Sequence, residues 1–528
     1  MRRLTGVERR PFVDSAAGRR SRRSTWPPWG RYRAYGGVLA AAYLVSLLVY
    51  HRANRFPVLG GNDLTGLSGA SSASWHDLLL GKVGVHAPGE KLGRQFRPLA
   101  FVTYRLDDLV VDPLGPGHNY LNDAVLAVLA LACFVVVRRI CGRLSLLETA
   151  VAGALCASVP ISFAGSDAGV EIVNRVDVLL AISVVVAAAA LIALMEDGPR
   201  LDDRRRWRLL ATLAAAAFAA GLSKEDGPFI VLGLVVLWAA VRVFADGAWR
   251  EAAEGLGATL ASLVVFYVYK AAAGGTGQLL LTNERTRLHP VDTSWGIPGI
   301  GHVLRPLGPI GPNLGYVLSD GVRMIVATIV PMFTDYGHVV ARRLPFMVFF
   351  LGLAWLVFRS LRARETRRVS LLLLGGIVVA AGTGIYSLRP RLLIPGYALW
   401  IVVASVGLIV CLRRRWGRAR WIAVAVAGAV IVGAAISYQQ ELKSEIDRYG
   451  DLYGPPSDNA AYRQLVAGQR TRYGCSRLPS YRSFVGTESF GDRVAHAISG
   501  LRIVRPEPSA AQLARLEARC GLTSGPAR

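Results

Sequence analysis

Charge is what this sequence has little of. Only 18% of its 528 residues are Asp, Glu, Lys or Arg, against about a quarter in soluble domains. A disordered chain needs low hydrophobicity and abundant charge, and a chain that is 52% hydrophobic excludes that class. Six cysteines are too few for a disulfide scaffold, and 56 glycines without a three-residue period exclude collagen. Lysine is nearly missing, at five of the 61 basic residues. That bias reads as genomic base composition of a bacterial kind. No Cys-x-x-Cys, His-Glu-x-x-His, Gly-rich phosphate loop or internal repeat occurs.

What is there is apolar and comes in long blocks, with a mean hydropathy of +0.37. Blocks of that kind fit lipid, so the expected fold is an all-α polytopic membrane protein. The net charge of +25 does not lie on one stripe, as nucleic-acid binding would require. It sits in short clusters between the apolar blocks, among them Arg204–Arg206, Arg367–Arg368 and Arg413–Arg415. Such clusters hold loops in the cytoplasm, so the expected partner is the bilayer and not nucleic acid.

The amino terminus, 1–34, carries Arg2, Arg3, Arg9, Arg10, Arg19, Arg20, Arg22 and Arg23 without an adjacent apolar core. It reads as a disordered cytoplasmic tail and not as a secretory signal. A transmembrane domain is expected over 35–437, with spans near 35–50, 119–137, 145–163, 176–194, 208–222, 228–244 and 256–273. Further spans are expected near 344–359, 370–387, 392–411 and 420–437, which makes about eleven crossings. The segment 322–338 reads equally as a span or a re-entrant helix. Odd crossings put Arg138–Arg139, Arg204–Arg208, Arg242, Arg250, Arg359–Arg368 and Arg413–Arg420 inside. The loops 51–118, 164–175, 223–227, 274–343 and 388–391 then face outside. So does a small carboxy-terminal domain, 438–528. The expected location is the bacterial inner membrane, with the amino terminus cytoplasmic and the carboxy terminus periplasmic. Cys133, Cys141, Cys156 and Cys411 read as packing residues in or beside spans, whereas Cys475 and Cys520 are either paired in the periplasm or two unrelated thiols.

The first loop contains one amphipathic segment, Pro98–Val111. Ionisable residues otherwise gather at the outer ends of the spans: Asp167 and Glu171, Arg175 and Asp177, Lys224 to Asp226, Arg389 and Arg391. A coupled transporter would bury charge in mid-membrane. Here distant outer loops are expected to converge on one polar site, and interfacial snorkelling is the plainer alternative.

The outer patches also carry a resemblance. In order they are Phe96-Arg97-Pro98-Leu99, Thr103-Tyr104-Arg105-Leu106, Gly117-His118-Asn119-Tyr120-Leu121-Asn122, Ser166-Asp167-Ala168-Gly169-Val170 and Asn174-Arg175-Val176-Asp177. Then follow Leu222-Ser223-Lys224-Glu225-Asp226-Gly227, Pro331-Met332-Phe333-Thr334-Asp335-Tyr336 and Arg391-Leu392-Leu393-Ile394-Pro395. This series resembles the transmembrane-and-tetratricopeptide O-mannosyltransferases of the GT-C superfamily, across residues 60 to about 400. The resemblance implies transfer of a sugar, with inversion, from a polyprenyl-phosphate carrier to an acceptor hydroxyl on a glycan, lipid or protein outside the membrane. It also implies a carboxylate base in the first external loop, as removal of the hydroxyl proton requires. Asp63, within Gly60-Gly61-Asn62-Asp63, is that candidate, with Asp77 in reserve.

Arg97, Arg389 and Arg391 suit the lipid phosphate, whose departing charge needs a cation. Arg175 with Asp177, and Lys224 with Glu225, are expected to hold the sugar or to pair with one another, and Asp167 joins them as a substrate contact. The family usually has two adjacent acids where this chain has Asn62-Asp63, so no metal is expected. No cofactor is expected either, the lipid-linked sugar being a substrate. Further departures are Gly165 and Asp167 where the family has histidines and a glutamate, and 438–528 in place of a repeat array. Two other readings remain: a transporter or flippase of a lipid-linked glycan, and a noncatalytic assembly protein.

Overall fold

The computed structural model describes residues 28–50, 74–80, 96–110, 120–157, 175–197, 202–273, 363–384 and 394–413, with the isolated positions 421 and 425. Asp63, Asp167, Arg389, Arg391, the segment 322–338, the spans expected at 344–359 and 420–437, the pair Cys475 and Cys520, and the domain 438–528 lie outside the described residues.

Every described element is a helix. In chain order they are α1 (Pro28–Val49), α2 (Trp75–Leu79), α3 (Pro98–Val110), α4 (Tyr120–Cys141), α5 (Leu146–Ala157) and α6 (Arg175–Asp197). Then come α7 (Asp203–Ser223), α8 (Gly227–Asp246), α9 (Trp249–Ala272), α10 (Ala363–Gly384) and α11 (Ile394–Arg413). Five of them are long and apolar enough to cross a membrane: α4, α6, α8, α9 and α11. The chain is thus an all-α polytopic membrane protein. Helices are the solution that lets an apolar segment satisfy its own backbone in lipid.

The α11 span is buried along its whole length, packed on by α4, α5, α6 and α10. This explains why its sequence is apolar all round, without a polar face. The outer helices differ. Leu44 and Leu48 on α1, Val128 and Val135 on α4, and Val264, Val265 and Val268 on α9 are exposed, as lipid-facing side chains are. The cysteines Cys133, Cys156 and Cys411 are buried in the packed interior, the packing role the sequence suggests.

Short turns join neighbours into antiparallel hairpins. Asp202 caps α7 by accepting the Arg205 N–H at 2.8 Å. The α7–α8 turn is only Lys224-Glu225-Asp226, and a Cβ on Gly227 would sit 2.2 Å from the Ala220 carbonyl oxygen. No other residue fits that approach. After α8, Gly247 at φ 64° ends the helix, with Ala248 N–H returning to the Arg242 carbonyl.

This alternation sorts the helix ends. The starts of α4, α6, α8 and α11 share one end of the bundle with the finishes of α7 and α9. The opposite end gathers the arginines. There Arg413 donates to Glu148 at 2.7 Å and to the carbonyls of Cys141 at 2.8 Å and Arg143 at 2.6 Å. Beside it, Arg242 pairs with Asp246 and Glu251, Arg367 with Asp246, and Arg206 with Glu254. The arginines are paired as well as segregated, since each bare guanidinium in a helix bundle would need a partner.

Candidate functional site

The first end of the bundle holds a second, tighter set of charges. Arg175 opens α6 and is 0% exposed. Its Nη2 lies 2.7 Å from Oδ2 of Asp107 on α3, itself 1% exposed. Its Nε donates to Oδ1 of Asn122, in the first turn of α4, at 2.5 Å. The Tyr104 ring lies below the guanidinium, 5.6 Å from its centroid.

Two residues on, Asp177 takes Lys224 Nζ at 3.2 Å, and Asp226 lies 4.0 Å from the same ammonium. Glu225 turns the other way. It accepts the backbone N–H of Phe96 at 2.5 Å and pairs with Lys270, at the end of α9, at 3.6 Å. Phe96 is anchored between the rings of Phe266 and Tyr269, with centroids at 5.8 and 5.6 Å. Tyr269 in turn donates its hydroxyl to the Leu79 carbonyl of α2. The described pieces of the first loop, 74–80 and 96–110, are therefore docked onto the α7–α8 turn and the end of α9.

The structure brings Arg97, Arg175, Asp177, Lys224 and Glu225 to one end of the bundle, as the sequence suggests, but it corrects the pairing. Arg175 does not pair with Asp177, nor Lys224 with Glu225. Residues one or two apart on a helix or tight turn point in different directions, so each charge finds its partner on another element. Arg175 and Asp177 are buried, as is Lys270, and so do not snorkel, whereas Arg97, Lys224 and Glu225 are half-buried. The sequence reading passed over Asp107 and Lys270 as parts of this cluster and had Asn122 only within the resemblance. The signal for Asp107 was present. Phe101, Tyr104 and Asp107 are spaced by three and form the buried stripe of α3, and a carboxylate on such a stripe demands a cation.

Asp226 is only partly compensated, 4.0 Å from the Lys224 ammonium. Burial pushes its carboxyl above the ordinary Asp range; Lys224 and Arg97 pull it back, and Asp177 adds to the upward push. Its Oδ2 is buried without a hydrogen-bond partner, as is Nε of Arg97. A raised folded-state pKa means that ionisation favours the unfolded chain, so the penalty is absent below about pH 4 and grows as pH rises. Asp226→Asn is expected to raise the melting temperature of the solubilised protein near neutral pH. The gain should fade towards pH ~4. Melting curves at the two pH values check this, and an equal gain at both would count against ionisation as its source.

Asp77 is placed differently. Its carboxylate accepts the Ser74 hydroxyl at 2.7 Å while its own N–H donates to Ser74 Oγ at 3.1 Å, so it serves the start of the short helix α2. Among the described residues no three His, Cys, Asp or Glu side chains come together in a way that could hold a metal ion.

No protein-family model matches the chain, and no curated protein matches it. Two solved structures of ArnT from Cupriavidus metallidurans are similar in fold. The form bound to undecaprenyl phosphate aligns with a TM-score of 0.45 at 16% identity, over 90% of this chain and 77% of that one. The apo form aligns with a TM-score of 0.47 at 16% identity, over 90% and 76%.

Proposed function

We propose that the protein is a GT-C glycosyltransferase of the bacterial inner membrane. It moves a hexosyl group from a polyprenyl-phosphate carrier to an acceptor hydroxyl at the outer face. The observation that carries the reading is the convergence of the sequence pieces. Phe96-Arg97, Tyr104, Asn122, Arg175 with Asp177, and Lys224 to Asp226 are far apart in the chain, with Phe96 and Glu225 129 positions apart. They meet in one buried, charged cluster. The likeness to the tetratricopeptide branch rests on those sequence pieces alone.

In the reaction the acceptor oxygen attacks the anomeric carbon from the face opposite the phosphate, which inverts the centre. The bond from that carbon to the phosphate oxygen breaks, and polyprenyl phosphate leaves as an anion. Asp63 takes the hydroxyl proton. Arg97, Lys224, Arg389 and Arg391 supply positive charge for the departing phosphate, and Asp167, Asp177 and Glu225 offer acceptors for sugar hydroxyls. No cofactor takes part. The domain 438–528 emerges on the same side and helps select the acceptor.

Among the described residues the buried charged side chains lie at helix ends or on α3, while the middles of the spans bury hydroxyls such as Ser183, Thr259 and Ser405. A transport path for a charged glycan would place them along the spans.

The test is transfer of radiolabelled sugar from a polyprenyl-phosphate donor in membranes containing the protein. Label is expected in an acceptor. Donor that crosses vesicle membranes unconsumed would favour a flippase instead. Arg391→Ala is expected to raise the donor KM about tenfold, the loss of a charge-assisted contact; an unchanged dependence on donor concentration would remove Arg391 from the phosphate site.

A further inference from the structure

We infer that Arg175 is a positioning residue: it clamps α3 to the starts of α4 and α6 and thereby fixes where Arg97 stands. The inference deepens the glycosyltransferase reading, on which its activity arm rests, and it reassigns Arg175 from the substrate contacts to the scaffold beneath them.

The guanidinium joins three elements at once. It meets Asp107 of α3 at 2.7 Å, Asn122 of α4 at 2.5 Å and the Tyr104 ring at 5.6 Å, while its own backbone begins α6. It is fully buried. A planar fork can serve two acceptors on different helices, which an ammonium does less well. Beside this clamp, α3 packs a short apolar face, Ala100, Phe101 and Tyr104, towards α2 and α7, and ends in exposed Leu109 and Val110.

Arg97 depends on α3 through covalent geometry. It directly precedes Pro98, whose ring fixes φ as the helix begins. Asp107 lies nine residues further on, about 13 Å along the helix axis. The segment is held at its start by Phe96 N–H on Glu225, along its length by packing on α2 and α7, and in its second half by Asp107 on Arg175. Release of the ion pair frees the second half of α3 to tilt on the packing that remains. Arg97, at the start of the segment, then turns relative to the Lys224–Asp226 turn, whose charge it now faces. A displacement of about 1 Å at a reacting group is enough to lower rates ~10²-fold.

Two measurements on the full-length detergent-solubilised protein test this. One is limited trypsin cleavage after Arg105, which lies within docked α3. The other is the donor KM and kcat for sugar transfer. The variants are Arg175→Lys, Arg175→Met, Asp107→Leu and the double change Arg175→Met with Asp107→Leu, since an apolar pair often replaces a buried ion pair without loss of stability. Each single variant is expected to speed cleavage after Arg105 and to lower kcat/KM for the donor, up to ~10²-fold for Arg175→Met. The double variant should recover both.

Arg175→Lys keeps the charge and covers the case in which Arg175→Met fails to fold. Its protection and donor use should fall together. Donor use lost with protection intact, in Arg175→Lys or in the double variant, would make Arg175 a substrate ligand and overturn the inference. Unchanged protection in every single variant would equally overturn it. If the parent transfers no sugar at all, the glycosyltransferase reading falls, while the trypsin series still decides whether Arg175 clamps α3.

Discussion

Asp63→Asn is expected to lower the rate of sugar transfer by ~10²–10⁴-fold, the usual contribution of a general base, while leaving expression, insertion and melting temperature unchanged. Asn keeps the size of the side chain and its hydrogen-bonding reach. What it removes is the capacity to accept the acceptor's proton as the glycosidic bond forms. Single-turnover transfer at saturating donor is the measurement, because it separates chemistry from product release. Asp77→Asn is the natural control. The Asp77 carboxylate is already engaged by the Ser74 hydroxyl at the start of α2, and loss of such a cap costs about 1 kcal/mol without touching a proton transfer. Parental activity in Asp63→Asn, with loss in Asp77→Asn, would move the base to the reserve position.

The contrast between those two acids shows how far a sequence can be read here. Lipid imposes the helix on any long apolar block, so α4, α6, α8 and α11 were legible to within a few residues, while α9 begins at Trp249, seven residues ahead of the expected 256. The run 228–244 became Gly227–Asp246, and 392–411 became Ile394–Arg413. The amphipathic segment at Pro98 was legible for a different reason, as an apolar stripe with a period near 3.6. α1 differs by as much as α9, beginning at Pro28 and so ahead of the apolar run that marks Tyr35.

Polar partnerships are another matter. Arg175 and Asp177 look like a pair because they are near neighbours in the chain, yet one serves α3 and α4 and the other serves the α7–α8 turn. Hydropathy ranks residues one at a time, whereas an ion pair depends on the relative rotation of two helices. Asp107 went unnoticed as a partner because nothing within its own helix identifies the cation it meets 68 positions later. The same limit explains Lys270, whose partner Glu225 lies on the α7–α8 turn, 45 positions earlier.

Lys224→Met should be strongly damaging to the fold at this end of the bundle. The lysine ammonium stands between two carboxylates, 3.2 Å from Asp177 and 4.0 Å from Asp226, and all three side chains are largely buried. Met retains the length and the apolar stem, so packing is kept while the charge is lost. Two acids then face one another without the cation. Breaking a buried pair in this way costs about 3–5 kcal/mol, and the strain is greatest where both acids are ionised. Because burial already holds the Asp226 carboxyl above its ordinary range, a proton on Asp226 is the cheapest relief. The loss of melting temperature should therefore be large near neutral pH and smaller in acid. A melting temperature equal to the parent's at neutral pH would show that Lys224 is not holding the two acids. Lys224→Met combined with Asp177→Leu then separates scaffold from chemistry. An apolar pair can replace the ion pair and recover the melting temperature, but it brings no positive charge to a departing phosphate. A double variant that melts like the parent yet transfers no sugar would place Lys224 among the groups that meet the substrate; one that recovers transfer as well would confine it to holding α6 against the α7–α8 turn.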